Sequence, residues 1–213
     1  MFSNKGFSWL LKKHGSTLSE LVRLQRALNG RFADMEDAVE CLVLSVATGE
    51  PMLLIGPPGT AKSRLIRVFC NLIGEIPDEA LRNAPTDILP EKRELVEVKR
   101  TPAYFSYLLT QFTEPGELFG YFDIGKLINP PHEFARMDET AMQRARVVFV
   151  DEVFNASSAI LNTLLTFMNE REIHDRGSVY KVPLQNLFAA TNSTPNSPEL
   201  KALFDRFLLR CWI

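Results

Sequence analysis

The feature that most constrains the fold is an octet at residues 56–63 that directly follows an apolar run. The octet reads Gly-Pro-Pro-Gly-Thr-Ala-Lys-Ser, and the run at 52–55 reads Met-Leu-Leu-Ile. This pattern predicts a buried strand, a glycine-bearing loop and a helix that opens on Lys62 and Ser63. Loop N–H groups and the positive end of a helix attract anions, so the arrangement favours phosphate groups. The candidate nucleotide-binding residues are Gly56, Pro57, Pro58, Gly59, Thr60, Ala61, Lys62 and Ser63.

The last three residues of the octet carry most of the expected chemistry. The Lys62 ammonium can reach the β- and γ-phosphates of a nucleotide, and the Ser63 hydroxyl can hold Mg²⁺. Glycine usually precedes this lysine, but here the residue is Ala61. We expect a negative φ at Ala61, with any positive φ in the loop falling on Gly59. A simple Pro/Gly turn between a strand and a helix is the alternative interpretation.

Composition narrows the class of protein. With 213 residues, 46% of them hydrophobic, the chain is long enough for one large domain or a domain with a small appendage. A net charge of −2 and the lack of a basic stripe argue against strong nucleic-acid binding. The three cysteines and three histidines are scattered, which is typical of a cytosolic protein without a disulfide framework or metal site. No apolar run reaches membrane-spanning length, and the first fifteen residues do not resemble a secretory signal.

A second candidate group follows the apolar run at 147–150. Asp151 and Glu152 come directly after this run. In α/β folds, ligands bind where buried parallel strands reach their carboxyl ends. We therefore expect Asp151 to hold Mg²⁺ through water beside Ser63, and Glu152 to orient and polarise an attacking water. A plain strand end or helix cap is the alternative for Asp151.

Two further residues complete the candidate site. Asn192 ends an apolar run and can hydrogen-bond a γ-phosphate or the lytic water, although asparagine after a strand is also common turn chemistry. Arg206 can enter the site of a neighbouring subunit as an arginine finger. A surface pair between Arg206 and Asp205 is the alternative.

Alternating strand and helix patterns along the chain predict an α/β sandwich with a mostly parallel sheet. Thr17 with Glu20 is expected to form a capping box on the first helix, and Asp34 to cap the second. The 75–101 stretch is interpreted as a surface excursion or connector, and 121–137 as irregular. The predicted helices and helical turns are 17–28, 34–48, 62–73, 113–120, 138–144, 156–170 and a short one from 197. The predicted strands are 52–55, 103–109, 147–150, 184–191 and 207–213, with a hairpin at 172–182.

In this order the signals resemble the Walker A, Walker B, sensor 1 and arginine-finger elements of the AAA+ superfamily. Three longer stretches narrow the resemblance to the MoxR family and its RavA-like branch: Thr-Glu-Pro-Gly-Glu-Leu-Phe-Gly at 113–120, Ala-Ile-Leu-Asn-Thr-Leu-Leu-Thr-Phe-Met-Asn-Glu-Arg at 159–171, and Ala-Leu-Phe-Asp-Arg-Phe-Leu-Leu-Arg at 202–210. The resemblance implies a P-loop NTPase core whose mostly parallel five-stranded sheet has the order 5-1-4-3-2, sandwiched by helices. It further implies a helical lead-in at 1–50, an α/β ATPase core at 51–213, and a C-terminal helical lid that this sequence does not contain.

The same resemblance implies an ATPase that uses ATP and Mg²⁺ and works as a ring, usually a hexamer. Lys62, Ser63, Asp151, Glu152 and Asn192 match the family's catalytic set. Arg206 matches its finger, and Arg210 is the weaker candidate. The implied function is chaperone-like remodelling or activation of partner complexes, often with von Willebrand factor A domain proteins. Without the lid, weak ATP binding and slow hydrolysis by a monomer are expected.

The segments 121–137 and 171–183 correspond to the helix-2 insert and the pre-sensor-1 hairpin, which face the pore in related rings. Ordinary surface loops are the alternative for both. Two other functions stay open at this point, namely a nucleotide-gated assembly scaffold with incidental hydrolysis and a nucleic-acid-associated motor. The mixed charges of His174, Asp175, Arg176 and Lys181 argue against the motor.

Overall fold

A computed structural model of the protein describes residues 4–74, 103–175, 178–195 and 197–213. In these residues the strands are β1 (Met52–Ile55), β2 (Tyr104–Leu108), β3 (Val147–Asp151), β4 (Glu172–Asp175), β5 (Ser178–Lys181), β6 (Asn186–Thr191) and β7 (Leu209–Trp212). The α-helices are α1 (Asn4–Asn29), α2 (Glu36–Thr48), α3 (Lys62–Leu72), α4 (Pro115–Phe119), α5 (Ile124–Ile128), α6 (Ser158–Asn169) and α7 (Pro198–Phe204). Two short 3₁₀ turns lie at Met142–Arg144 and Val153–Asn155.

The main sheet has five parallel strands in the order β2-β3-β6-β1-β7. When only these five strands are numbered along the chain, the order is 5-1-4-3-2, and the predicted fold class is confirmed. Since all five strands run the same way, the carboxyl ends of β1, β3 and β6 lie at one edge of the sheet. The residues that follow these strands are therefore neighbours in space, although they lie far apart in sequence.

Each face of the sheet is buried under its own layer of helices, because alternate residues of a strand point to opposite faces. On one face, Leu53 and Val148 pack with the apolar side of α6. On the other face, Leu54 and Phe149 pack with residues of α1, α2 and α3. Phe69 of α3 meets Phe188 of β6 edge to face, with ring centroids 5.6 Å apart. The two layers bury the main strands on both faces, which positions the edge where the candidate residues lie.

The starts of the first two helices differ from the predictions. The first helix already begins at Asn4, so Thr17 lies inside it rather than capping it. Leu18 and Val22 of this helix are 43% and 44% exposed, because it is the following turns, around Leu28, that reach the core. Asp34 has a left-handed backbone with φ 58°, and Met35 occupies the N-cap position of α2. The acidic first turn of α2, Glu36 and Asp37, supplies the favourable charge there instead.

The segments between the main strands follow the predictions more closely. The hairpin is confirmed as the antiparallel pair β4 and β5. The helical turn predicted at 113–120 contains α4, and Glu114 is its N-cap. The segment 121–137, predicted to be irregular, contains α5 and an antiparallel bridge between Phe122 and Arg136. The predicted excursion at 75–101 lies outside the described residues. None of the described helices combines the length and the apolar character that a membrane span requires.

Candidate functional site

The loop 56–61 joins the end of β1 to the start of α3 at the carboxyl edge of the sheet. Gly56 is buried there and donates its N–H to the Thr191 carbonyl of β6 at 3.1 Å. A Cβ at Gly56 would lie 2.5 Å from the Ile213 carbonyl oxygen, so this position requires glycine. Pro57, Pro58 and Gly59 are exposed, and the Thr60 hydroxyl donates to the Pro57 carbonyl at 2.9 Å. The loop is thus fixed at its base and open to solvent at its tip.

Ala61, the last residue of the loop, has a left-handed backbone with φ 62° and ψ 19°. The expectation of a negative φ at this residue is wrong. Gly59 also has a positive φ, of 85°, so the loop needs two such residues within three positions to turn into the helix. The Ala61 carbonyl already accepts the N–H of Leu65 at 2.9 Å, which ties this conformation to the first turn of α3. A left-handed backbone costs an L-residue roughly 1–2 kcal/mol, so Ala61 is strained.

Replacing Ala61 with glycine is expected to stabilise the protein by about 1 kcal/mol, because glycine adopts a positive φ without this strain. Urea unfolding of the two proteins measures the difference. The control is Ala202→Gly in α7, where an exposed helical alanine is replaced. This control is expected to lose about 1 kcal/mol. Equal or lower stability of Ala61→Gly than of the unchanged protein would contradict the strain.

Lys62 opens α3 and is only 6% exposed. Its ammonium donates to the carbonyls of Gly56 and Pro57 at 2.7 and 2.9 Å, and to Asn192 Oδ1 at 3.0 Å. Three acceptors match its three N–H donors, which is how a buried positive charge is tolerated. The ammonium is therefore held at the base of the loop, beside the end of β6.

Ser63 and Asp151 bring the start of α3 and the end of β3 together. The Ser63 hydroxyl donates to Asp151 Oδ2 at 2.9 Å, and Asp151 Oδ1 accepts the N–H of Glu152 at 3.0 Å. A hydroxyl oxygen and a carboxylate oxygen side by side form a donor set that suits Mg²⁺. The two predicted metal ligands are thus adjacent, and they fit this ion.

Glu152 follows Asp151 with a left-handed backbone, φ 52°. Such strain in a non-glycine residue is characteristic of functional sites. The Asn192 amide donates to Glu152 Oε1, and the Asn155 amide donates to Oε2 at 3.4 Å. Burial, and then the neighbouring Asp151 carboxylate, raise the pKa of Glu152, while Lys62 acts in the opposite direction. A raised pKa makes this carboxylate a stronger base than an ordinary surface glutamate.

Asn192 connects the two halves of the site. Its amide oxygen accepts from Lys62 and its amide nitrogen donates to Glu152, so one side chain touches both the cation and the candidate base. Lys62, Ser63, Asp151, Glu152 and Asn192 therefore converge at one edge of the sheet, as their positions after successive strands predict. Asn155 was not predicted as a site residue. The only sequence feature that could have indicated it is its position three residues after Glu152, because a single 3₁₀ turn brings residues at that spacing together.

The structure does not bring Arg206 to this edge. Arg206 is exposed and precedes β7, whose first residue Leu209 pairs with Met52, the first residue of β1. The 56–61 loop follows the opposite end of β1, about 10 Å away along the strand. Arg210 lies within β7, with its guanidinium 4.5 Å from the centre of the Phe204 ring. No ion pair joins Arg206 to Asp205 in the described part of the chain.

The chain resembles known proteins both in sequence and in fold. A family model described as the MoxR domain in the MoxR-vWA-beta-propeller ternary systems matches residues 19–81 and 92–213. Two uncharacterised proteins of Methanocaldococcus jannaschii are 34% and 35% identical over 193 and 190 residues, which are 91% and 89% of this chain. A structural protein of Acidianus two-tailed virus is 31% identical over 205 residues, 96% of this chain.

The chain spans 43% of the length of each of the two archaeal relatives and 28% of the viral protein. Among solved structures, a protein of Cytophaga hutchinsonii proposed to be an ATPase superposes with a TM-score of 0.61. That match covers 98% of this chain and 54% of the other, at 16% sequence identity. The structural likeness supports the α/β P-loop fold.

Proposed function

Since the chain belongs to the MoxR family of AAA+ ATPases, we propose that it binds ATP with Mg²⁺ at the 56–63 loop and hydrolyses the bond between the β- and γ-phosphates. The observation that carries this proposal is the hydrogen-bonded group of Lys62, Ser63, Asp151, Glu152 and Asn192 at one sheet edge. The group combines a cation, a pair of oxygen ligands and a candidate base. Phosphoryl transfer depends mainly on positioning and charge neutralisation, which such a set can provide.

Each residue has a distinct role in this proposal. Lys62 exchanges one or more of its present acceptors for phosphate oxygens. Ser63 and Asp151 hold Mg²⁺, directly or through water. When bound, Mg²⁺ neutralises part of the phosphate charge. Glu152 accepts a hydrogen bond from the attacking water and orients it, and Asn192 holds the Glu152 carboxylate in place. The RavA-like branch within the family stays a prediction.

We further propose that the active form is a ring, with Arg206 completing the site of a neighbouring subunit. Two observations support this: Arg206 is exposed, and it lies at the opposite edge of the sheet from the chain's own phosphate loop. A residue so placed is better suited to a neighbour's nucleotide than to its own. Arg210 is the weaker candidate because its guanidinium is stacked on Phe204.

Mixing two inactive variants is expected to restore activity if Arg206 acts in trans. Arg206→Ala should lower ATP turnover by at least about 10³-fold, and Lys62→Ala should be inactive for lack of phosphate binding. In rings assembled at random from equal amounts of the two variants, about a quarter of the interfaces pair an intact phosphate loop with an intact finger. About a quarter of the turnover of the unchanged protein should therefore return. The assay is phosphate release. Arg210→Ala, which should stay active alone, is the matched control.

If the mixture is no more active than Arg206→Ala alone, Arg206 is not an arginine finger that acts in trans. Full activity of Arg206→Ala by itself would exclude that role as well.

The finer function that we propose is chaperone-like remodelling or activation of a protein complex that includes a von Willebrand factor A domain protein. It is supported by the description of the matching family model, which couples this domain to such partners. A reducing, cytoplasmic location is supported by the three cysteines, which are all free thiols.

Co-purification of the chain with a von Willebrand factor A domain protein from the same organism, with and without ATP, tests the proposed partner. Equal recovery of Glu152→Gln and unchanged protein, with partner activity intact in both, would favour the scaffold over the remodeller.

A further inference from the structure

The segment 121–137 leaves the core and returns to it through a closed neck. The N–H of Asp123 donates to the Ala135 carbonyl at 2.8 Å, and the N–H of Met137 donates to the Tyr121 carbonyl at 2.9 Å. Just before the neck, Gly120 has a φ of 82°, and a Cβ there would overlap the Met137 carbonyl. The two sides of the neck are thus packed backbone against backbone, and the residues between them protrude as one piece.

Arg136 lies in this neck and reaches a different element of the protein. Its Nε and Nη2 donate to the two carboxylate oxygens of Asp175, both at 3.1 Å. Its Nη1 donates to the Gly120 carbonyl at 2.8 Å, and the guanidinium lies 4.2 Å from the centre of the Phe122 ring. Through these contacts, Arg136 joins the two sides of the neck to each other and to Asp175, which lies 39 positions away in the sequence.

The Arg136–Asp175 ion pair is partly buried and has two hydrogen bonds, so it can couple the movements of the two elements that it joins. The side chains are only 23% and 19% exposed, so solvent screens them much less than an ordinary surface pair. Two parallel N–H to carboxylate bonds also fix the orientation of the partners. Asp175 is the last residue of β4 and pairs with Ser178 of β5, so the tie attaches to the hairpin near its tip. The base of the hairpin packs in the core through Ile173 and Val182.

The neck is also joined to the strands that carry the candidate site. Gly120 directly follows α4, where Glu117 accepts from the Tyr107 hydroxyl of β2 and from the N–H of Glu114. Just after β2, the N–H of Leu109 donates to the Asp151 carbonyl at 2.9 Å. Contacts therefore run without a gap from Asp151 through β2 and α4 to Arg136.

We infer that Arg136 is a tether that joins the 121–137 segment and the β4–β5 hairpin into one mechanical unit, which α4 connects to the strand beside Asp151. Without this tether, the two elements lack the Arg136–Asp175 ion pair that joins them. With it, a displacement of either one is transmitted to the other. The inference does not depend on hydrolysis, and it is tested in the nucleotide-free protein.

Amide hydrogen exchange of the full chain separates a tether from a local surface contact. Asp175→Asn keeps the shape of the side chain but removes its charge. It is expected to speed exchange at Asp123 and Met137 about tenfold, although these amides lie in the other element. Arg136→Met should speed exchange in the hairpin ladder, at Ile173 and Tyr180, by a similar factor. The matched control is Glu172→Gln, on the same strand but opposite Lys181, and it should change the neck amides less than twofold.

Unchanged exchange at the neck in Asp175→Asn would overturn the tether. So would equal acceleration in Asp175→Asn and Glu172→Gln. The amides of β3 and β6 are the internal reference. If they accelerate as much as the neck amides do, the substitution acts on global stability, and the inference is wrong.

Discussion

Replacing Glu152 with glutamine is expected to lower ATP turnover at least about 100-fold while ATP affinity changes less than about threefold. Glutamine keeps the size of the side chain and an oxygen that can accept from Asn192, but it cannot accept a proton from water. Phosphate release at saturating ATP measures turnover, and equilibrium titration with a fluorescent ATP analogue measures affinity. Glu40→Gln, an exposed change on α2, is the matched control and should leave both values unaltered.

If ATP turnover decreases by less than threefold, Glu152 is not the base. Loss of ATP binding together with turnover would show instead that the Glu152 carboxylate holds the site in shape. The split between affinity and turnover is therefore the informative result.

Replacing Lys62 with methionine is expected to weaken ATP binding about 100-fold. Charge-assisted hydrogen bonds from the ammonium to phosphate oxygens contribute about 1.5–3 kcal/mol, and methionine keeps only the apolar part of the side chain. ATP at about 100 times its dissociation constant stabilises the unchanged protein by about 2.7 kcal/mol. The readout is the rise in melting temperature on adding ATP with Mg²⁺, which should nearly disappear in the variant.

The matched control for Lys62→Met is Lys201→Met, because Lys201 is an exposed lysine on α7. Its ATP-dependent rise in melting temperature should equal that of the unchanged protein. An undiminished rise in Lys62→Met would show that ATP binds elsewhere.

Much of the site could be predicted because Lys62, Asp151 and Asn192 each come at or after the end of an apolar strand. A parallel sheet places the carboxyl ends of its strands at one edge, so Lys62, Asp151 and Asn192 meet once the strand order is known. The sequence pattern identifies the strands, and the resemblance to the MoxR family supplies their order. No contact between side chains has to be known in advance for this step.

The features that the sequence did not predict depend on long-range geometry. Ala61 adopts a positive φ because the loop is fixed between β1 and α3, and local preference alone favours a negative value. Asp34 looks like a helix cap by residue type, but the chain entering α2 places it in a left-handed turn. The pair Arg136 and Asp175 lies 39 positions apart, and no sequence spacing indicates that the two residues meet. In each case the surrounding structure overrides local preference or creates a contact that spacing does not encode.

Calorimetric titration of ATP into the protein, with Mg²⁺ and then with excess chelator, tests the central claim most directly. The claim is that Lys62, Ser63 and Asp151 form one site for ATP with Mg²⁺. The predicted result is saturable binding of one ATP per chain with Mg²⁺, weakened at least about tenfold when the ion is removed. Absence of saturable binding up to about 1 mM ATP, or binding that does not depend on Mg²⁺, would contradict it.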